Sequence, residues 1–229
     1  MNKSSPVLLF LSLANPWFWR ILNLNIFVAV LIIIISFSLF SLLSRHKFSL
    51  KYFIVTLIIF VTLSIIGIKL GYDQDLRKLQ IDEGVKLNQR NKYYAQELGT
   101  LFLNRYVLNY YQNYNPYLYK FQRNFFSALD PNLYFFASHP RERAGINEFE
   151  KFPSLYFIFF IAGIIYILQL QPVLAMFYLL VAVLVNGLIS PAFNFGPLLL
   201  FPFVMTLIAL GLTYLLIIFK YIFKKIQRT

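Results

Sequence analysis

The 229-residue chain has no cysteine, two histidines and nine acidic residues, and only 13% of it is charged. Without cysteine, disulfides and thiolate metal sites are excluded; the compartment stays open. Metalloprotease (HExxH), Gly-rich phosphate-loop and nucleophile-elbow patterns are all missing, so no nucleophilic, zinc or nucleotide chemistry announces itself through a motif. His46 and His139 are the two histidines. The charge pattern below puts them on opposite sides of a membrane, which excludes a paired-histidine site.

Apolar residues are what the chain has in abundance, at 59%. A soluble domain of this length could not hide that fraction in one core, and here it sits in long runs, the signature of membrane spans. Residues 25–43 and 52–68 carry no charge. Residues 155–170 lead almost directly into 172–189 through the join QLQP, and 195–219 follow the break SPAFNFGP. Each run approaches the roughly 20 residues that a helix needs to cross a bilayer. The expected fold is therefore all-α, a polytopic bundle of about five transmembrane helices with a helical cap between the second and third. Five units follow: an interfacial amphipathic segment (1–23), a transmembrane hairpin (24–71), an extracytoplasmic helical loop (72–153), a three-helix transmembrane unit (154–219) and a basic tail (220–229). The first unit rests on NPWFWR, whose two tryptophans suit the headgroup layer. A short sixth span over residues 6–22 is the alternative.

Charge sets the orientation. Arg45, Lys47 and Lys51 stand together without an acid, as do Lys220, Lys224, Lys225 and Arg228. Both clusters belong on the cytoplasmic side under the positive-inside bias. All nine acids, with eleven basic residues, fall within 72–153, which then lies outside the cytoplasmic membrane. The net charge of +12 reflects topology and attraction to anionic lipids, and nucleic acid is not an expected partner.

The 72–153 segment is too long for a structureless connection. Apolar residues spaced near three to four predict two to four helices, with breaks at Gly84, Gly99 and Asn115-Pro116. Eight tyrosines fall between Tyr93 and Tyr119. They form an aromatic belt at headgroup depth, or else a platform on which sugars stack; Tyr110, Tyr111 and Tyr134 are the candidate stacking rings.

Two patterns carry candidate chemistry. Asp73-Gln74-Asp75 is a D-x-D that could hold a divalent cation or supply a catalytic base; the simpler reading has Asp75 capping a helix that starts at Leu76. HPRER, residues 139–143, places Arg141 and Arg143 beside Pro140 at the entry to an apolar run. Arginine suits bidentate phosphate recognition, and lipid phosphates are the anions available at an outer interface. His139, Arg141 and Arg143 are accordingly the candidate lipid-phosphate ligands. Pairing of the arginines with Glu142, Glu148 or Glu150 as a structural brace is the competing reading.

The stretch NFFSALDPNLYFFASHPRER resembles a segment of bacterial GT-C membrane glycosyltransferases that use polyprenyl-phosphate sugars. Asn124, Phe125 and Phe126 match its entry, Asp130-Pro131 its turn, Tyr134 to Phe136 its aromatics, and Pro140 and Arg143 its final proline and arginine. His139 replaces an acidic residue of the pattern. The resemblance covers roughly residues 124–215, counting the similar leucine- and proline-rich region that follows. It implies a membrane protein that binds a polyprenyl-phosphate sugar at the outer surface. It also implies that the catalytic carboxylate of the family's first outer loop has no counterpart here unless Asp73 or Asp75 serves. A second membrane subunit supplying the catalytic half is one expectation. A non-enzymatic scaffold or envelope-complex subunit is the other.

Overall fold

The computed structural model describes residues 5–45, 48–75, 81–136, 151–189 and 195–227. In chain order the helices are α1 (Ser5–Leu13), α2 (Pro16–Leu24), α3 (Ile26–Leu43), α4 (Leu50–Asp75), α5 (Ile81–Leu98), α6 (Arg105–Asn109), α7 (Asn115–Leu129), α8 (Asn132–Phe135), α9 (Tyr156–Leu170), α10 (Pro172–Asn186) and α11 (Phe201–Ile226). No strand occurs among the described residues. The all-α expectation holds.

Asparagines punctuate the first three helices. The Asn15 side chain accepts the Phe18 N–H at 3.1 Å while Pro16 occupies the first turn of α2, and Asn25 accepts the Phe27 and Val28 N–H groups to cap α3. Each cap satisfies donors that the helix start would leave orphaned. The Asn15 break turns the chain, so α1 and α2 meet at 73°. Leu8, Leu11, Trp17, Phe18 and Ile21 are all buried, and α1 packs on α11 and α3.

Three helices, over Ile26–Leu43, Leu50–Lys69 and Leu198–Lys224, are long and apolar enough to cross a membrane, or four crossings if the bent α1–α2 pair is one. Five uninterrupted crossings are not what the helix lengths give. With 15 residues each, α9 and α10 rise only about 22 Å against a hydrocarbon core of roughly 30 Å. The cause is local: Gln171-Pro172 divides the apolar run, and Pro153 delays the start of α9 until Tyr156.

α11 is the central element, and its residues Phe203 to Leu210 are buried. It lies along α9 at a crossing where Gly163 faces the Leu207 backbone and Gly211 the Phe159 backbone. Small residues let two helices approach this closely, the usual basis of helix association in lipid. Polar contacts join α3 to α4, where Thr56 Oγ1 donates to Ser38 Oγ at 2.9 Å and Ser38 Oγ donates to the Tyr52 carbonyl at 2.9 Å. Inside the helical runs, the Asn186 amide and Thr213 hydroxyl donate to carbonyls one turn back.

The α3–α4 link and the α9–α10 join share one end of the bundle, because Gln171 Nε2 donates to the Arg45 carbonyl at 2.9 Å. The other end carries the cap. There α4 runs on past Lys69 to Asp75, and α5, α6 and α7 follow. One expected break falls differently, since Gly84 lies inside α5. Asn115-Pro116 does mark a boundary, where a π-helical turn ends at Tyr114 and α7 begins with Pro116 in its first turn, a place where proline costs no hydrogen bond. Gly99 does end α5, at φ +52°, a left-handed conformation that glycine adopts without penalty.

Candidate functional site at the mouth of the bundle

Four segments distant in sequence converge where the cap meets the bundle. The first is the turn after α7. Asp130 Oδ1 accepts the Asn132 N–H at 2.9 Å, a side-chain-closed turn that starts α8 at Pro131. Asp130-Pro131 is thus a turn, as expected. Tyr134 is buried, and its hydroxyl donates to the Ala128 carbonyl at 2.6 Å, satisfying a carbonyl near the end of α7. Burial pushes the Tyr134 phenol well above its ordinary range, and the Asp130 charge adds to the shift, so this hydroxyl stays a donor.

The second segment is Lys151-Phe152. The Phe152 N–H donates to the Tyr134 carbonyl at 2.9 Å, and Lys151 Nζ donates to the Leu133 carbonyl at 3.0 Å. These bonds join Leu133 and Tyr134, shortly before the 137–150 segment, to Lys151 and Phe152, just after it. His139, Arg141 and Arg143 belong to that segment and lie outside the described residues, as do Glu142, Glu148 and Glu150. Lys151 itself is 2% exposed. A buried ammonium needs compensating partners. The Leu133 carbonyl is one, and the Trp17 ring, its centroid 6.0 Å from Nζ, is another.

Trp17 supplies the third segment. It is fully buried, its indole N–H donates to the Phe195 carbonyl at 2.7 Å, and its ring meets Phe201 at 4.9 Å and Phe152 at 5.6 Å. Gly196, at φ +66°, completes the fourth. The backbone favours glycine there, and an added Cβ would press on Lys151 Cε at 3.2 Å and the Trp17 ring at 3.3 Å. None of Trp17, Lys151 and Gly196 stood out as a site residue in the sequence. The available signals were a lone lysine abutting an apolar run in KFP and a glycine in the break NFGP.

Beside this mouth lies an apolar cavity of about 200 Å³. Pro131 and Tyr134 line it at the mouth, and Ile164, Leu168, Met176 and Phe203 line it along α9, α10 and α11. Leu168 and Met176 are more than half exposed, so the cavity opens on the outer surface of the bundle, between α9 and α10.

The three candidate stacking tyrosines separate. Tyr110 and Tyr111 belong to a π-helical turn, Tyr110–Tyr114, in which the Asn115 N–H donates to the Tyr110 carbonyl. Their rings lie 5.3 Å apart, and Tyr94 adds a ring 4.4 Å from Tyr111. Tyr134 stands apart from them, in the buried cluster 6.2 Å from Trp17, where it lines the apolar cavity. Asp73 and Asp75 lie on α4 at the edge of the described residues, and Leu76, the expected start of a helix capped by Asp75, lies outside them. Among the described residues no group of three or more acidic or histidine side chains is placed to hold a metal.

In comparisons with known proteins, no family model, no curated protein and no solved structure matches this chain.

Proposed function

We propose that this helical membrane protein binds a lipid-linked phosphate of the polyprenyl class, with Arg143 and Arg141 on the phosphate, His139 beside them, and the lipid chain in the cavity between α9 and α10. The observation that carries the reading is placement. An apolar cavity opens laterally on the bundle, and its inner wall includes Pro131 and Tyr134. The Tyr134 carbonyl also accepts the Phe152 N–H, so described residues from the two sides of the 137–150 stretch, which contains HPRER, meet beside the cavity. An amphiphile with a phosphate head and an isoprenoid tail matches that combination of arginines and apolar slot.

The same reading takes the chain as related to the C-terminal part of GT-C glycosyltransferases, in the cytoplasmic membrane with the cap outside and the C-terminus inside. α9 and α10 then complete five crossings with help from the apolar residues at their ends. Transfer chemistry would fall to Asp73, to Asp75 or to a partner subunit. With a partner supplying it, the chain is a lipid-phosphate-binding subunit of an envelope complex.

The test is thermal unfolding of the purified chain with undecaprenyl phosphate, with undecaprenol and without lipid. Undecaprenyl phosphate is expected to raise the melting temperature of wild type, and undecaprenol much less. Arg143→Lys keeps the charge but loses the planar fork, so its affinity should fall about tenfold, or about 1.4 kcal/mol. Met176→Trp, which fills the cavity, should weaken binding without touching the arginines. Equal stabilisation of wild type and Arg143→Lys would reduce HPRER to a brace.

A further inference from the structure

The cap carries a second site, independent of the mouth. α5 and α7 enclose an open groove of about 560 Å³, lined by Lys86, Gln89, Arg90, Tyr93 and Tyr94 from α5 and by Tyr119 from α7. The α5 positions recur at three- and four-residue intervals and so share one face of the helix. On a helix that packs by burial this face would be apolar. Here it presents two cations, an amide and two phenols, and no acidic side chain lines the groove among the described residues.

The groove is built as well as charged. The Arg90 guanidinium lies 4.1 Å from the centroid of the Tyr119 ring, close enough for cation–π attraction, which orients its fork. Its hydrogen bond to the Tyr119 hydroxyl holds that phenol below the ordinary tyrosine range, against a weaker upward push from burial; Arg123 and Lys86 add to the lowering. Lys86 and Arg90 are the two cations that line the groove beside this phenol. Tyr93 and Tyr119 nonetheless keep much of their rings open, at 58% and 44% exposure.

Open aromatic faces beside converging cations specify a ligand with both an apolar ring face and a negative charge. Sugars meet aromatic rings through their C–H faces, and a carboxylate or phosphate substituent meets the cations. A bilayer surface would want a strongly apolar face on the helix. The groove face of α5 instead carries Lys86, Gln89 and Arg90 beside its two phenols.

We propose that the α5–α7 groove binds an acidic saccharide, with the sugar against Tyr93 and Tyr119 and its carboxylate or phosphate held by Lys86 and Arg90. This site is separate from the lipid-phosphate reading of the mouth and stands or falls without it.

The test is calorimetric titration of the full purified chain with a short oligogalacturonate, a neutral malto-oligosaccharide of equal length, and polyglutamate of equal charge. Oligogalacturonate should bind, and the neutral sugar at least about tenfold more weakly, since the charge-assisted hydrogen bonds are lost. Arg90→Gln and Tyr93→Ala should each weaken binding about tenfold, the first by removing the charge and the second the stacking face. Both positions are exposed, so melting temperatures should stay at the wild-type value, and Arg143→Lys should bind as wild type does. Equal binding of polyglutamate would show charge attraction alone and overturn the proposal. Displacement of oligogalacturonate by phosphatidylglycerol micelles would assign the groove to lipid headgroups and overturn it too, as would unchanged binding by Tyr93→Ala.

Discussion

Gly211→Ala is expected to melt far below wild type, although it adds one methyl group. At the α9–α11 crossing, a Cβ on Gly211 would overlap the Phe159 carbonyl oxygen and crowd the Gly163 amide nitrogen, and a Cβ on Gly163 would overlap the Leu207 carbonyl. These are backbone atoms, which no rotamer change can move aside. The helices would have to separate along their length, and α11 is the core of the bundle. Overpacking of this kind costs about 3 kcal/mol or more, and in a chain of this size that is a fall of about 6–12 °C. Gly84→Ala is the control. Nothing lies within 4 Å of the added Cβ, and the site is inside α5. Alanine there should stabilise by about 0.5–1 kcal/mol, the usual helical gain over glycine. Circular-dichroism melting of the two variants in detergent compares them directly. Similar behaviour would mean that α9 and α11 do not approach as described.

The second large effect belongs to Trp17. As a ring lying in the headgroup layer it could be removed at little cost to folding. As a fully buried ring between Phe152 and Phe201, hydrogen-bonded to the Phe195 carbonyl, it ties residues 5–24 to the far end of the chain. Trp17→Ala should therefore cost about 3–5 kcal/mol through the cavity it leaves. Trp17→Phe retains most of the packing but loses the indole donor, and should cost about 1–3 kcal/mol. Trp19 supplies the contrast, since it is 48% exposed. Trp19→Ala should be nearly silent if packing decides the outcome. Equal, small effects at both positions would return the segment to the membrane surface.

What could be read from the sequence, and what could not, divides along sequence separation. The runs that became α3, α4 and α11 were visible because membrane crossing is a property of composition over about 20 residues. Asp130-Pro131 was visible as a turn because its chemistry is local: a side-chain oxygen beside a proline turns the chain wherever it falls. The runs 155–170 and 172–189 were read close to the bounds of α9 and α10, but 15 residues per helix fall short of a full crossing, which composition alone does not reveal. Tyr134 was legible as an aromatic in a motif, yet nothing local distinguishes a ring that stacks on a ligand from one that closes on the Ala128 carbonyl. Lys151 and Trp17 were harder still. Their partners, Leu133 and Phe195, stand 18 and 178 residues away, and no local pattern encodes either contact. The groove of α5 and α7 was half legible. The tyrosines were conspicuous, but the pairing of Arg90 with Tyr119 required the fold.

All the functional readings depend on the two ends of the bundle lying on opposite sides of a membrane, with the cap, the 137–150 segment and the tyrosines on the outer one. The native chain has no cysteine, so single cysteines report without background. Asn113 and Lys224 are both exposed, the first beside the cap tyrosines and the second near the end of α11. Treating intact cells with a membrane-impermeant maleimide should label Asn113→Cys fully and leave Lys224→Cys unlabelled until the membrane is permeabilised. Labelling of Lys224→Cys with protection of Asn113→Cys would invert the arrangement and move HPRER and the cap groove to the cytoplasmic side. Immediate labelling of both would contradict a membrane-crossing bundle altogether.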